Sequence, residues 1–143
     1  MQRVLRLTLA ALAALAVLPV EAGGAAQDYM LYCMGCHGDA AQGVAGKVPR
    51  LAGNLPLYMR TAAGRNYVLR VPGAANSVLP DERITAVLNW LAVTYPADGA
   101  APLPFTVAEV TAARHTPLTN VQETRQQVVR ALAASGPAPA VDY

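Results

Sequence analysis

The sequence has little of what many protein classes require. Its 143 residues include two cysteines, two histidines, one tryptophan and one phenylalanine, and only 14% of them are charged. A single cysteine pair supplies too few ligands for a closed four-ligand zinc site. The net charge of +2 is too small to indicate nucleic-acid binding. The hydrophobic fraction of 54% excludes a disordered, highly charged chain, so length and composition favour one compact domain.

The sequence also lacks an apolar run long enough to span a bilayer. Its longest such run, residues 7–20, has 14 residues, whereas a spanning helix needs about 20. Two arginines precede the run and small residues follow it, a pattern typical of a secretory signal peptide. Cleavage after Ala22 or after Ala26 fits the small-x-small rule, and we favour the second. We therefore expect residues 1–26 to be removed and the rest to be exported without a membrane anchor.

Apolar spacing and capping signals predict an all-α fold. The clearest helix is predicted at 80–94, where apolar residues recur at i, i+3, i+4 and i+7 behind Pro80 and two acidic residues. Shorter helices are predicted at 26–36 and 63–71. A proline-containing linker at 95–105 precedes two capping boxes, which begin at Thr106 and Thr119 and predict two further helices. No strand pattern or internal repeat is evident.

One motif points to specific chemistry. Residues 33–37 read Cys-Met-Gly-Cys-His, the C-x-x-C-H arrangement of a c-type haem attachment site. On one helical turn Cys33 and Cys36 can each form a thioether to a haem vinyl group, and His37 is then held at the iron as an axial ligand. A redox-active dithiol is an alternative, but it is usually accompanied by a βαβ pattern. A structural disulfide is a second alternative.

Residues 26–95 resemble a small class I cytochrome c. Beyond the haem motif, the resemblance rests on an aromatic first helix, on Val-Pro-Arg-Leu-Ala-Gly at 48–53 and on the helix that carries Trp90. It implies haem-wrapping helices, with the first and last helices crossing so that Trp90 meets Tyr29. It also implies that the Pro49 carbonyl accepts the Nδ1 hydrogen of His37. We therefore expect a haem domain at 27–95 and a linker with a helical extension at 96–143.

The sequence departs from this family at the sixth iron ligand. The family usually places a methionine between its middle and last helices, whereas residues 71–79 contain neither methionine nor histidine. Three alternatives stay open. Met59 binds from upstream, the distal site is open or holds water, or another group such as His115 or Lys47 binds.

Five cations and no acidic residue lie between positions 47 and 70. If this segment wraps the haem edge, the cations form a basic ring that steers an acidic redox partner. Arg50 is our first choice to bind a haem propionate. The cations are Lys47, Arg50, Arg60, Arg65 and Arg70.

The resemblance implies an electron carrier rather than an enzyme. We expect a periplasmic protein with one covalent haem c, which accepts electrons from a dehydrogenase and passes them to another cytochrome or a terminal oxidase. A five-coordinate haem protein is an alternative. It would bind a small ligand as a sensor, scavenger or weak peroxidase, with Asn76 and Ser77 as distal polar groups. In a further alternative the chain is a cytochrome subunit of a dehydrogenase, docked through its extension.

Overall fold

The computed structural model describes residues 24–139, and all regular structure in that range is helical. The predicted leader at 1–26 lies outside the described residues except for its last three. The described helices are α1 (Ala25–Tyr32), α2 (Met34–His37), α3 (Leu55–Tyr58), α4 (Ala62–Arg70), α5 (Pro72–Ala75), α6 (Asp81–Thr94), α7 (Val107–Arg114) and α8 (Val121–Ser135). The prediction of an all-α fold is confirmed for this part of the chain. Between residues 24 and 139 no helix is long and apolar enough to cross a bilayer.

Helices α1 and α6 pack against each other. The Tyr29 and Trp90 rings lie 5.5 Å apart between centroids and are tilted by 42°, a favourable geometry for an aromatic pair, and this contact was predicted. Asp28 lies in the first turn of α1. The structure shows it buried and bound by both ends of the Arg83 guanidinium, with Arg83 Nε donating at 2.8 Å. A planar guanidinium matches a carboxylate in this way, so the pair fixes the crossing.

Several helix ends differ from the predictions by one residue. Pro80 is the N-cap of α6 rather than its first residue. The N-cap of α8 is Asn120, whose side chain accepts a hydrogen bond from the Glu123 amide, and not Thr119. Asn is a better N-cap than Thr, which explains the shift. Thr106 caps α7 as predicted.

The hydrophobic core continues past the predicted domain boundary at residue 95. Four residues of the extension are buried in the same apolar cluster as Tyr29 and Leu88. The extension therefore packs back on the preceding helices. Its four core residues are Phe105, Val110, Val128 and Leu132.

Three of the five predicted ring cations bind the extension. Arg60 donates to two backbone carbonyls at 98–100, and Arg70 donates to the carbonyl of Thr116 at 2.6 Å. Arg65 donates to the carbonyls of residues 103 and 104 and forms an ion pair with Glu109 at 2.6 Å. These guanidinium groups are held by the extension, and among the three only Arg65 is paired with a carboxylate, so the basic ring stays a prediction.

Candidate functional site

A largely apolar cavity of about 430 Å³ opens beside the cysteine motif. Its volume falls in the range of about 300–1,000 Å³ that is typical of ligand pockets. Cys33, Cys36 and His37 all line it, together with Pro49. The structure therefore brings the thiols, the imidazole and the proline of the sequence prediction to one site.

The two cysteines lie at the junction of α1 and α2. Cys33 has φ −126° and ψ −37°, which interrupts the predicted continuous helix, and α2 restarts as a single turn that ends at His37. The His37 amide donates to the Cys33 carbonyl at 3.0 Å. Both thiols are free, and burial raises the pKa of Cys33. Two free thiols three residues apart are therefore available to bond a single large group.

His37 is oriented by the backbone of the next loop. Its Nδ1 lies 3.0 Å from the Pro49 carbonyl oxygen, which confirms the predicted hydrogen bond. A carbonyl can only accept, so Nδ1 carries the hydrogen and Nε2 presents its lone pair. Burial lowers the pKa of His37, although the bond to Pro49 opposes this effect. The imidazole is therefore neutral at neutral pH, as a metal ligand must be.

A tight loop brings Pro49 to His37. Gly43 has φ +68°, and a Cβ at this position would lie 2.3 Å from the carbonyl oxygen of Val48. Only glycine allows both the left-handed conformation and this close approach. Val44 and Val48 then pair as an isolated antiparallel bridge. The loop therefore places the Pro49 carbonyl 12 residues after His37 in sequence but in direct contact with its ring.

The remaining walls come from α3, α4, α5 and α6. Tyr58 and Tyr67 form a tilted pair with centroids 5.2 Å apart, and both line the cavity. Residues 71–74 contribute a further wall. Asn76 and Ser77, the predicted distal polar groups, are not among the lining residues. The Ser77 hydroxyl instead accepts a hydrogen bond from the Leu79 amide.

The structure does not bring Met59, Arg50 or His115 to the cavity. Met59 is 2% exposed within the hydrophobic core and is not a lining residue. Arg50 is exposed, and its Nε donates to the carbonyl of Ala52. His115 is exposed beside Asp81, with its Nε2 3.5 Å from the carboxylate. Lys47 does line the cavity. Ligation by Met59 and propionate binding by Arg50 therefore gain no support from the geometry.

Two lining residues from the extension were not predicted. Val121 and Arg125 belong to α8, and both line the cavity. Arg125 is 5% exposed. Its position was detectable in principle, because it lies one helical turn after Val121 and therefore on the same face. The predicted apolar face of this helix, with residues 121, 128 and 132, did not include the cation between them.

Within residues 24–139 no three His, Cys, Asp or Glu side chains are grouped closely enough to hold a metal ion by themselves. No protein-family model matches this chain, and no curated protein has a significantly similar sequence.

Proposed function

We propose that this chain is an exported c-type cytochrome that carries single electrons between periplasmic redox proteins. The observation that carries the proposal is the convergence of Cys33, Cys36 and an oriented, neutral His37 on one apolar cavity. A haem bound there would supply a one-electron ferrous–ferric couple. The helical fold, with its crossed α1 and α6, is consistent with a cytochrome c-like arrangement around that group.

The residues fit such a group by their chemistry. Cys33 and Cys36 would each hold the group through one thioether, formed by addition of the thiol S–H across a vinyl double bond, which needs no oxidant. His37 Nε2 is the ligand for the iron, and Pro49 holds the imidazole in the required tautomer. The largely apolar walls would surround the group with a low dielectric, and burial is one of the factors that set the reduction potential of a haem.

Covalent attachment tests this proposal. The mature protein, produced in a host that attaches haem c, is expected to retain haem on a denaturing gel and to give a c-type pyridine haemochrome spectrum. Cys36→Ala and Cys33→Ala are each expected to change that spectrum because one thioether is lost. Met34→Leu, inside the same motif, is the matched control and should keep the wild-type spectrum. A protein without covalent haem would contradict the proposal.

A second candidate function is reversible binding of a small ligand at the iron. It is favoured by the lining of the cavity, where the described residues include neither a methionine nor a second histidine. Carbon monoxide distinguishes the two functions. A ferrous spectrum unchanged by carbon monoxide supports a six-coordinate electron carrier. A shifted spectrum supports an open site and ligand binding.

A further inference from the structure

We propose that Arg125, on α8 of the C-terminal extension, binds a carboxylate of the haem. The extension would then be part of the haem pocket rather than a docking arm for another protein. This inference rests on the proposed function, because the carboxylates belong to the proposed cofactor. It assigns to Arg125 the role that the sequence suggested for Arg50.

The position of Arg125 is the first argument. Its side chain lines the cavity although it is 5% exposed. An anion that enters the cavity would meet this guanidinium away from bulk water, where salt screens the attraction between unlike charges much less than at the surface. A haem brings two carboxylates into an otherwise apolar space, and a guanidinium binds a carboxylate through two parallel hydrogen bonds.

The charges at the cavity are the second argument. Among the described residues that line it, none is Asp or Glu, and the side chains with permanent positive charge are Lys47 and Arg125. Lys47 is exposed, whereas Arg125 is buried. The lining therefore complements an anionic group that enters the cavity, with one buried cation and one at the surface.

The attachment of α8 is the third argument. The segment before it is tied to the end of α4 in two places, since Arg70 donates to the Thr116 carbonyl and the Leu118 amide donates to the Arg70 carbonyl at 3.0 Å. Further along α8, Val128 and Leu132 are buried in the core. The helix is thus held at both ends, and Arg125 is fixed at the cavity between them.

The test uses the mature holoprotein with haem labelled by ¹³C at its carboxylates. Reduced-minus-oxidised infrared spectra and the midpoint potential are measured for wild type, Arg125→Gln and Arg130→Gln. Arg130 lies on the same helix and is exposed, so its replacement makes the same change in charge away from the cavity. We expect Arg125→Gln to shift the labelled carboxylate band and lower the potential, because a nearby cation favours the reduced iron. Arg130→Gln should leave both unchanged.

The result that overturns the inference is a labelled band in Arg125→Gln that coincides with the wild-type band, even if the potential falls. Arg125→Lys keeps the charge but loses the paired donors. It provides the same comparison if Arg125→Gln yields too little holoprotein, and an unshifted band again overturns the inference. Absence of covalent haem from the wild type would instead contradict the proposed function.

Discussion

The region up to residue 95 and the extension after it are held in place by different interactions. The first region forms its core from buried apolar and aromatic side chains of α1, α4 and α6. Among the described residues, the extension contributes four buried side chains to that core and packs several partly buried ones against it. It also receives hydrogen bonds from Arg60, Arg65 and Arg70. Its own Arg114 donates back to the carbonyls of Ser77 and Leu79 at 2.7 and 2.8 Å.

This difference shows that arginine side chains can attach a peripheral segment to a core. A segment that buries little apolar surface is only weakly stabilised by burial, because the stabilisation scales with the apolar area removed from water. A guanidinium has five donors and can satisfy several backbone carbonyls of an irregular segment at once. Arg65 does so with three carbonyls and one carboxylate. Three substitutions and a pH titration should distinguish attachment by apolar burial from attachment by arginine hydrogen bonds.

The largest effect is expected on α4, because α3 and both helices of the extension pack against it. A Cβ at Gly64 would lie 2.1 Å from the carbonyl oxygen of Tyr58, so Gly64→Ala forces α4 away from α3. We expect a loss of about 3 kcal/mol in the free energy of unfolding, measured by denaturant titration, with both regions unfolding together.

Gly73→Ala is the matched control, since no atom lies within 4 Å of a Cβ at that position. It should change the stability by no more than about 1 kcal/mol. Equal effects of the two substitutions would contradict the close approach of α3 and α4.

A smaller and more local effect is expected from Arg65→Met. The substitution leaves Glu109 without its partner and removes hydrogen bonds to three carbonyls. Because both side chains are partly exposed, at 16% and 33%, we expect a loss of about 2 kcal/mol. Hydrogen exchange should accelerate in α7 more than in α6. Arg130→Met is the exposed control, and uniform acceleration across all helices would show that the extension is not held separately.

Acid should weaken the attachment of α7. The hydrogen bond from Arg65 lowers the pKa of Glu109 below its usual 4.5. A lowered folded-state pKa contributes stability that is present above the unfolded-state pKa and is lost as the pH falls through the folded-state value. We expect α7 amides to lose protection below pH 4.5, and Glu109→Gln to reduce this pH dependence. The remainder is assigned to Asp81, whose pKa is lowered by the hydrogen bond from Thr111 of α7. An unchanged pH profile in Glu109→Gln would assign the effect to other carboxylates.

The smallest effect is expected from Arg70→Met. Its Nε donates to the Thr116 carbonyl at 2.6 Å in an exposed setting, where water can replace the lost donor. A loss of about 0.5 kcal/mol is expected by denaturant titration. A loss as large as that of Arg65→Met would show that the segment before α8 is as strongly held as α7.

Local sequence determined much of the site. The C-x-x-C-H spacing places two thiols and an imidazole on adjacent turns, and the structure has all three at one cavity. The Pro49 carbonyl was expected at Nδ1 of His37 from the resemblance, and the bond is present at 3.0 Å. The apolar stripe at 84, 87, 88 and 91 gave α6 to within one residue. These features depend on short-range spacing, which the sequence records directly.

Only the tertiary structure decided where the long charged side chains go. Arg60, Arg65 and Arg70 looked like a surface for a partner, yet they bind backbone carbonyls some 40 residues away. Arg125 reaches the cavity because α8 folds back over it, while Met59 is buried in the core. Every residue has a backbone carbonyl, so the sequence does not show which carbonyl an arginine will bind. An arginine side chain is long enough to reach many of them. Sequence spacing therefore fixes the C-x-x-C-H motif, and packing of distant segments fixes the rest of the pocket.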